Sequence, residues 1–250
     1  MGLKRYIFRR LLLIIPVLIG VSIIIFSLTR MAGDPAAAYI NEKMNASQIA
    51  DVYQKYHFNE PVYVQYFYWL NGILNLDWGW SKTATMPVTD AIAYYLPATF
   101  ELALTSIIIA IIAGIALGTT SAVKKNRPFD HTTRVISLIG VSIPVFWLGL
   151  LLLLVFYAQL GLFPKGGRYS DIFILTGVTK NLVTGFMTVD SLIMGNMNFF
   201  ADVIWHLILP AVTLSFSSIA LILRMQRNSM LEVLHLDYIK TARAKGVPER

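Results

Sequence analysis

Very few residues of this chain are placed to do chemistry. There is no cysteine, which excludes disulfides, thiol catalysis and Cys-based metal sites. The four histidines, His57, His131, His206 and His235, are scattered, so no metal ligand set is expected, and neither HExxH nor GxSxG occurs. No GxxxxGK(S/T) loop is present, so ATP is not bound by that route. Two ionisable residues near the starts of long apolar runs are candidates for a functional role. Glu101, just ahead of Leu102, reads either as a partner for a substrate's amino terminus or as a carboxylate at a helix N-terminus, where the dipole favours negative charge. His206 reads either as a proton-relay group or as a hydrogen-bonded structural histidine, with no ionisable partner evident nearby in sequence. No apolar run carries paired charges at its centre, as ion-coupled carriers often do, so energy for any transport must come from outside the chain.

The remaining chemistry is that of docking. Asp237, Tyr238, Lys240, Thr241, Ala242, Arg243, Ala244, Lys245 and Gly246 lie in a polar segment directly behind the last apolar run. Over residues 228–240, Met230, Leu231, Leu234 and Ile239 fall roughly on one helical stripe. The small residues Thr241, Ala242, Ala244 and Gly246 let another surface approach the backbone. Such a helix suits either a groove on a soluble partner or an anionic lipid surface.

The elements that must position these residues are membrane-spanning. The 250 residues are 56% hydrophobic and 14% charged, with a mean hydropathy of +0.61. Soluble domains carry about a quarter charged residues. Four charge-free runs, Leu11–Thr29, Leu102–Val123, Val135–Pro164 and Val203–Leu223, each approach or exceed the ~20 residues that cross ~30 Å of hydrocarbon. Lipid leaves helices as the natural spanning structure, which predicts an all-α polytopic protein with four transmembrane helices. Asp171–Asp190 is rejected as a fifth because Lys180 sits at its middle.

The net charge of +7 is dealt out between these runs rather than gathered on a face, which argues against nucleic acid. Residues 1–10, 120–134 and 224–250 hold fourteen cations in 52 residues, whereas 31–97 and 161–203 hold six in 110. The positive-inside bias therefore places the N-terminus, the 120–134 loop and the C-terminal segment in the cytoplasm.

The chain divides into residues 1–30 (cytoplasmic N-terminus and first span), 31–97 (an extracytoplasmic segment with amphipathic or interfacial helices) and 98–250 (the core, with an outer loop at 161–203 and a cytoplasmic segment at 225–250). The apolar stretch after Arg10 exceeds a signal-peptide core and is read as a retained helix. Within 31–97, a short helix is expected from Ser47, as N-cap, to Phe58. The rings of Tyr63, Tyr66, Phe67, Tyr68 and Trp69 suit either the headgroup level or the lining of a solute path. Gly114 and Gly118 permit close helix packing, and Pro144 is expected to kink the third span.

At this point a family resemblance becomes visible. TARAKG (241–246) resembles the cytoplasmic coupling motif, or EAA loop, of ABC-importer permeases, as the peptide-importer branch writes it. Gly246 falls on that motif's glycine and Thr241 and Ala242 on its alanines. Lys240 replaces the motif's glutamate, which leaves docking intact but removes one candidate ion-pair partner. The stretches LPATFEL (96–102), DWGWS (77–81), SIPVFWLG (142–149) and HLILPA (206–211, with His206 and Pro210) are also similar to the B-type permease subunit of dipeptide and oligopeptide importers.

The resemblance implies a type I ABC-importer permease architecture in a prokaryotic cell membrane. It implies a second homologous permease subunit, an extracytoplasmic solute-binding protein, and two cytoplasmic ATPase subunits that bind ATP and Mg, while this chain binds no cofactor and is not an enzyme. Complete members carry six spans, so the resemblance also implies a product truncated after the coupling loop, or a defective permease. Rival readings are a secondary transporter or channel working without ATPases, and a membrane anchor. Peptide, nickel and oligosaccharide cargo are not separated by these residues.

Overall fold

Lipid offers the backbone no hydrogen-bond partners, so long apolar runs satisfy their own amides as helices. The computed structural model describes residues 2–41 and 43–247. The chain forms two compact units, Met1–Tyr94 and Tyr95–Arg250.

In the first unit, α1 (Leu3–Met31) absorbs the basic N-terminal residues as well as the first apolar run. Near its end the Arg30 guanidinium lies over the rings of Phe26 (4.8 Å) and Phe58 (5.2 Å). α2 (Ala46–Lys55) is capped by Asn45, not by Ser47. The Asn45 side chain accepts from the Gln48 N–H (2.9 Å) and the Gln48 side chain accepts from the Asn45 N–H (3.0 Å), a reciprocal box that Ser47 is two residues too late to make. α3 (Val62–Leu74) turns Tyr66 and Trp69 onto the buried Phe26, with centroids at 5.3 and 5.6 Å, while Tyr63, Phe67 and Tyr68 stay exposed. A two-residue antiparallel pair, β1 (Trp80–Ser81) with β2 (Met86–Pro87), precedes α4 (Val88–Val123).

α4 runs into the second unit and is followed by α5 (Pro128–Ser142), α6 (Val145–Leu152) and a π-helical turn at Leu153–Gln159. The short α7 (Ile172–Leu175) and α8 (Met187–Ile193) fold the following loop, and α9 (Met197–Leu234) and α10 (Asp237–Ala244) close the described chain. Around α8, the buried Met187, Phe199 and Val203 gather Tyr169, Phe173 and Leu182 into a small core.

The third apolar run departs from expectation. Instead of one kinked helix it forms two, Pro128–Ser142 and Val145–Gln159, bent by 109°. Pro144 has no N–H to donate and disfavours the helical region for its predecessor. Ile143 is accordingly extended (φ −82°, ψ 127°), and the helix restarts after Pro144.

Contacts with α9 show that this broken pair crosses the bundle rather than re-entering it. Asp130 meets Arg227, Gly140 lies against Phe216 and Ala220, Gly149 against Thr213, and Phe163 stacks on Trp205 at 4.6 Å. The contact point thus climbs α9 from one end to the other as the chain proceeds from α5 through α6 to the loop. Glu101 and Ser121 are separated by ~30 Å along α4, and Asp202 and Arg227 by ~37 Å along α9, matching a hydrocarbon core of ~30 Å. With α1, α4 and α9, each long and apolar enough to cross a membrane, the described residues provide four spans.

α4 and α9 run parallel, with Gly114 against Ile222 and Gly118 against Leu223 and Gln226. Pro210 is carried inside α9 without a break.

Candidate functional site

Two polar clusters mark the opposite ends of the second unit. At the first, Glu101 is 7% exposed. Its Oε2 accepts from Arg168 Nη2 (2.9 Å) and its Oε1 from the Thr188 N–H (2.7 Å). Arg168 also donates to the Gly185 carbonyl (2.8 Å). The expectation that Glu101 sits at a helix N-terminus is corrected: α4 begins at Val88, and Glu101 lies more than three turns inside it. Its negative charge is met by a guanidinium rather than by a helix dipole.

Asp190 organises the turn that Arg168 reaches. Its carboxylate accepts from the Thr184 N–H (2.9 Å), the Thr184 hydroxyl (2.8 Å) and the Gly185 N–H (2.9 Å). Burial pushes its pKa up, but these donors prevail and hold it below the ordinary carboxylate value. A depressed carboxylate contributes stability that is fully present above its unfolded pKa, near 3.9, and is lost as pH falls through the lower folded value. Acidification below about pH 4 is therefore expected to loosen residues 183–187, and Asp190→Asn to loosen them at neutral pH. Hydrogen exchange of the Thr184 and Gly185 amides checks both.

His206 has a partner that its sequence neighbourhood already contained. Its Nδ1 lies 2.8 Å from the Asp202 carbonyl and 3.6 Å from an Asp202 carboxylate oxygen, one turn away on α9. The same carboxylate accepts from the Ser170 N–H (2.7 Å) and hydroxyl (2.6 Å), tying the loop to α9. The i, i+4 spacing was the signal for this pair.

Beneath the loop lies a cavity of about 750 Å³. Its walls come from Leu102 of α4, Phe146 and Gly149 of α6, and Leu207, Pro210 and Thr213 of α9. Glu101, Lys165, Arg168 and His206 supply its polar groups. An apolar chamber with a few charged groups on its wall is suited to holding a small, partly polar solute.

At the other end, Asp130 is fully buried and receives a bidentate pair from Arg227, Nε–Oδ1 2.6 Å and Nη2–Oδ2 2.9 Å. The Ser121 hydroxyl (2.7 Å) and the Asn126 N–H (3.0 Å) donate to the same carboxylate. Thr133 bonds Ser121 (3.0 Å), and Gln226 bonds Thr119 (3.1 Å). These residues are not marked by any contiguous motif, since the 124–134 loop is dominated by its four cations; Asp130, the lone acid among them, is the available signal.

α10 lies beyond this cluster. The stripe expected over 228–240 is divided between α9, which ends at Leu234, and α10, but Met230, Leu231, Leu234 and Ile239 are all half-buried as a stripe requires. Asp237, Tyr238, Lys240, Thr241, Ala244, Lys245 and Gly246 are exposed, Ala242 is half-buried, and the Arg243 side chain lies outside the described residues. Lys240 pairs with Asp237 (2.9 Å) on this open surface. Gly246 ends the helix with φ +74° and has open space around its Cβ position.

A bundle of apolar helices with a solute-sized chamber at one end and an exposed short helix at the other is the layout of a membrane transport subunit. Residues 110–250 match the family of the binding-protein-dependent transport system inner membrane component, and residues 3–103 match the N-terminal membrane component of the same systems. The chain belongs to this family of multi-pass permease subunits.

Among its relatives, the dipeptide transport system permease protein DppB of Alkalihalophilus pseudofirmus is 41% identical over 244 residues, covering 96% of this chain and 71% of that protein. The probable D,D-dipeptide transport system permease protein DdpB of Escherichia coli is 38% identical over 233 residues, covering 93% and 67%. The oligopeptide transport system permease protein AppB of Bacillus subtilis is 38% identical over 249 residues, covering 99% and 72%.

Proposed function

We propose that this permease subunit forms half of a translocation pathway for dipeptides or oligopeptides, beside a second homologous permease. In this reading a solute-binding protein delivers cargo on the outer side. Two cytoplasmic ATPase subunits, which bind ATP and Mg, engage α10. The N-terminus and the Asp130 end of the bundle face the cytoplasm, in line with the cation bias, and the cavity beside Glu101 faces outward. Peptide cargo is supported by the relatives' transport of dipeptides and oligopeptides. Nucleotide-driven closure of the ATPases moves the docked helices and rocks the spans between two states.

The observation that carries this reading is the exposure of α10 at the end of α9, with Asp237, Tyr238 and Gly246 open to a visitor. Gly246→Val tests it. The left-handed backbone at Gly246 disfavours valine by ~1–2 kcal/mol, and the side chain projects into the space a partner would occupy. The variant is expected to insert normally in the membrane but to lose the co-purifying ATPases. Gly246→Asn, which tolerates the left-handed region, is expected to retain more of them. Undiminished ATPase recovery with the valine variant would refute docking at this helix.

A further inference from the structure

We propose that Asp130 and Arg227 are positioning residues for energy transfer, clamping the ends of α4, α5 and α9 so that a displacement of α10 reaches all three spans together. The inference rests on the importer reading above and adds the path by which α10 drives the bundle.

The geometry is that of a three-way joint. Asp130 opens α5, Arg227 stands two turns before the end of α9, and Ser121 lies in the last turn of α4. One carboxylate gathers all three, because Arg227 fills both of its oxygens in a fork and the Ser121 hydroxyl shares Oδ1. The Asn126 N–H adds the connecting loop, and Gln226 with Thr119 adds a second link between α9 and α4. α10 begins ten residues beyond Arg227.

Elsewhere in the unit the helices also pack closely at Gly114, Gly118 and Gly140, where the contacts are dispersive and carry no charge pair. A bidentate charge pair fixes direction as well as distance. With Asp130 fully buried and the Arg227 side chain 13% exposed, this largely buried ion pair is a poor source of net stability, since well-packed apolar residues serve as well, so its placement beside the driven helix favours a directional role. Arg134, 3.8 Å from Asp130 and half exposed, is the other cation at the joint and is too solvated to replace Arg227.

The test uses the chain co-expressed with its second permease and its ATPases and reconstituted in liposomes with the binding protein. Arg227→Lys keeps the charge but loses the fork. Asp130→Asn removes the charge. Both variants are expected to retain bound ATPases and nucleotide hydrolysis, while peptide moved per ATP falls about tenfold, the scale on which a desolvated charge pair acts. The exchange Asp130→Arg with Arg227→Asp is expected to recover part of that ratio.

If Asp130→Asn fails to accumulate, Arg227→Lys carries the test, with spin labels at the exposed Thr132 and Glu232. These 250 residues contain no cysteine, so the two introduced thiols are their only labelling sites. The label distance is expected to broaden in the variant. A wild-type transport ratio in Arg227→Lys, or transport and hydrolysis falling in equal proportion, overturns the clamp while leaving the importer reading standing. Failure of the unaltered chain to retain ATPases overturns both.

Discussion

Exchanging Arg168 for methionine is expected to release the loop between α6 and α9 from α4. Arg168 bridges Glu101 and the Gly185 carbonyl with one nitrogen. Its removal leaves a carboxylate that is 7% exposed with a single donor, the Thr188 N–H. Breaking a buried pair from one side costs ~3–5 kcal/mol, and the lower end applies here because the Arg168 side chain keeps 28% exposure. A loss of about 3 kcal/mol corresponds to roughly a hundredfold loss of hydrogen-exchange protection if the loop opens locally. That loss is expected across 165–190, with little change along α5 or the far end of α9. Adding Glu101→Gln is expected to restore part of the protection, because a neutral amide tolerates burial better than an unpaired carboxylate. Unchanged exchange in Arg168→Met would show that the small core around Phe199 holds the loop without the ion pair.

Gly118→Val is expected to be the most damaging single change in the α4–α9 contact. A Cβ at Gly118 would stand 2.8 Å from both the Leu223 carbonyl oxygen and the Gln226 Cβ. Backbone cannot rotate out of the way, so the two parallel helices must separate, weakening the Gln226–Thr119 bond as they do. Overpacking of this kind costs ~1–3 kcal/mol, and valine adds a second methyl to the same gap. Gly114→Val meets Ile222 Cβ and Cγ2 at 2.7 Å but the nearest backbone atom, the Ile219 carbonyl oxygen, only at 3.5 Å, and is expected to be milder. Gly20→Ala in α1, where nothing lies within 4 Å, is expected to be neutral or slightly stabilising, since alanine is the better helix former. Thermal unfolding in one detergent orders the three. A Gly118→Val protein melting with the wild type would mean that α4 and α9 do not need this approach.

The membrane class, four apolar runs of spanning length and the segment at 237–246 were all legible in the residues alone. These are local properties: hydropathy sums over neighbouring residues, and the 3.6-residue period places Met230, Leu231, Leu234 and Ile239 on a stripe. The family motifs are contiguous strings and were legible for the same reason. Even the break at Pro144 was locally marked, although its size, 109°, was not, because proline removes one hydrogen bond while packing chooses the angle.

Which charges meet was settled by packing. Glu101 finds Arg168 67 positions away, and Asp130 finds Arg227 97 positions away. In both cases the partner's helix or loop is brought alongside by the climb of α5 and α6 along α9. Read in one dimension, Asp130 was a lone acid among cations that served only to orient the chain, and Glu101 was a charge near the start of a run. A charge in sequence carries sign without direction. Its role is set by the group that burial forces it to face, and that group is chosen by the packing of helices distant in the chain.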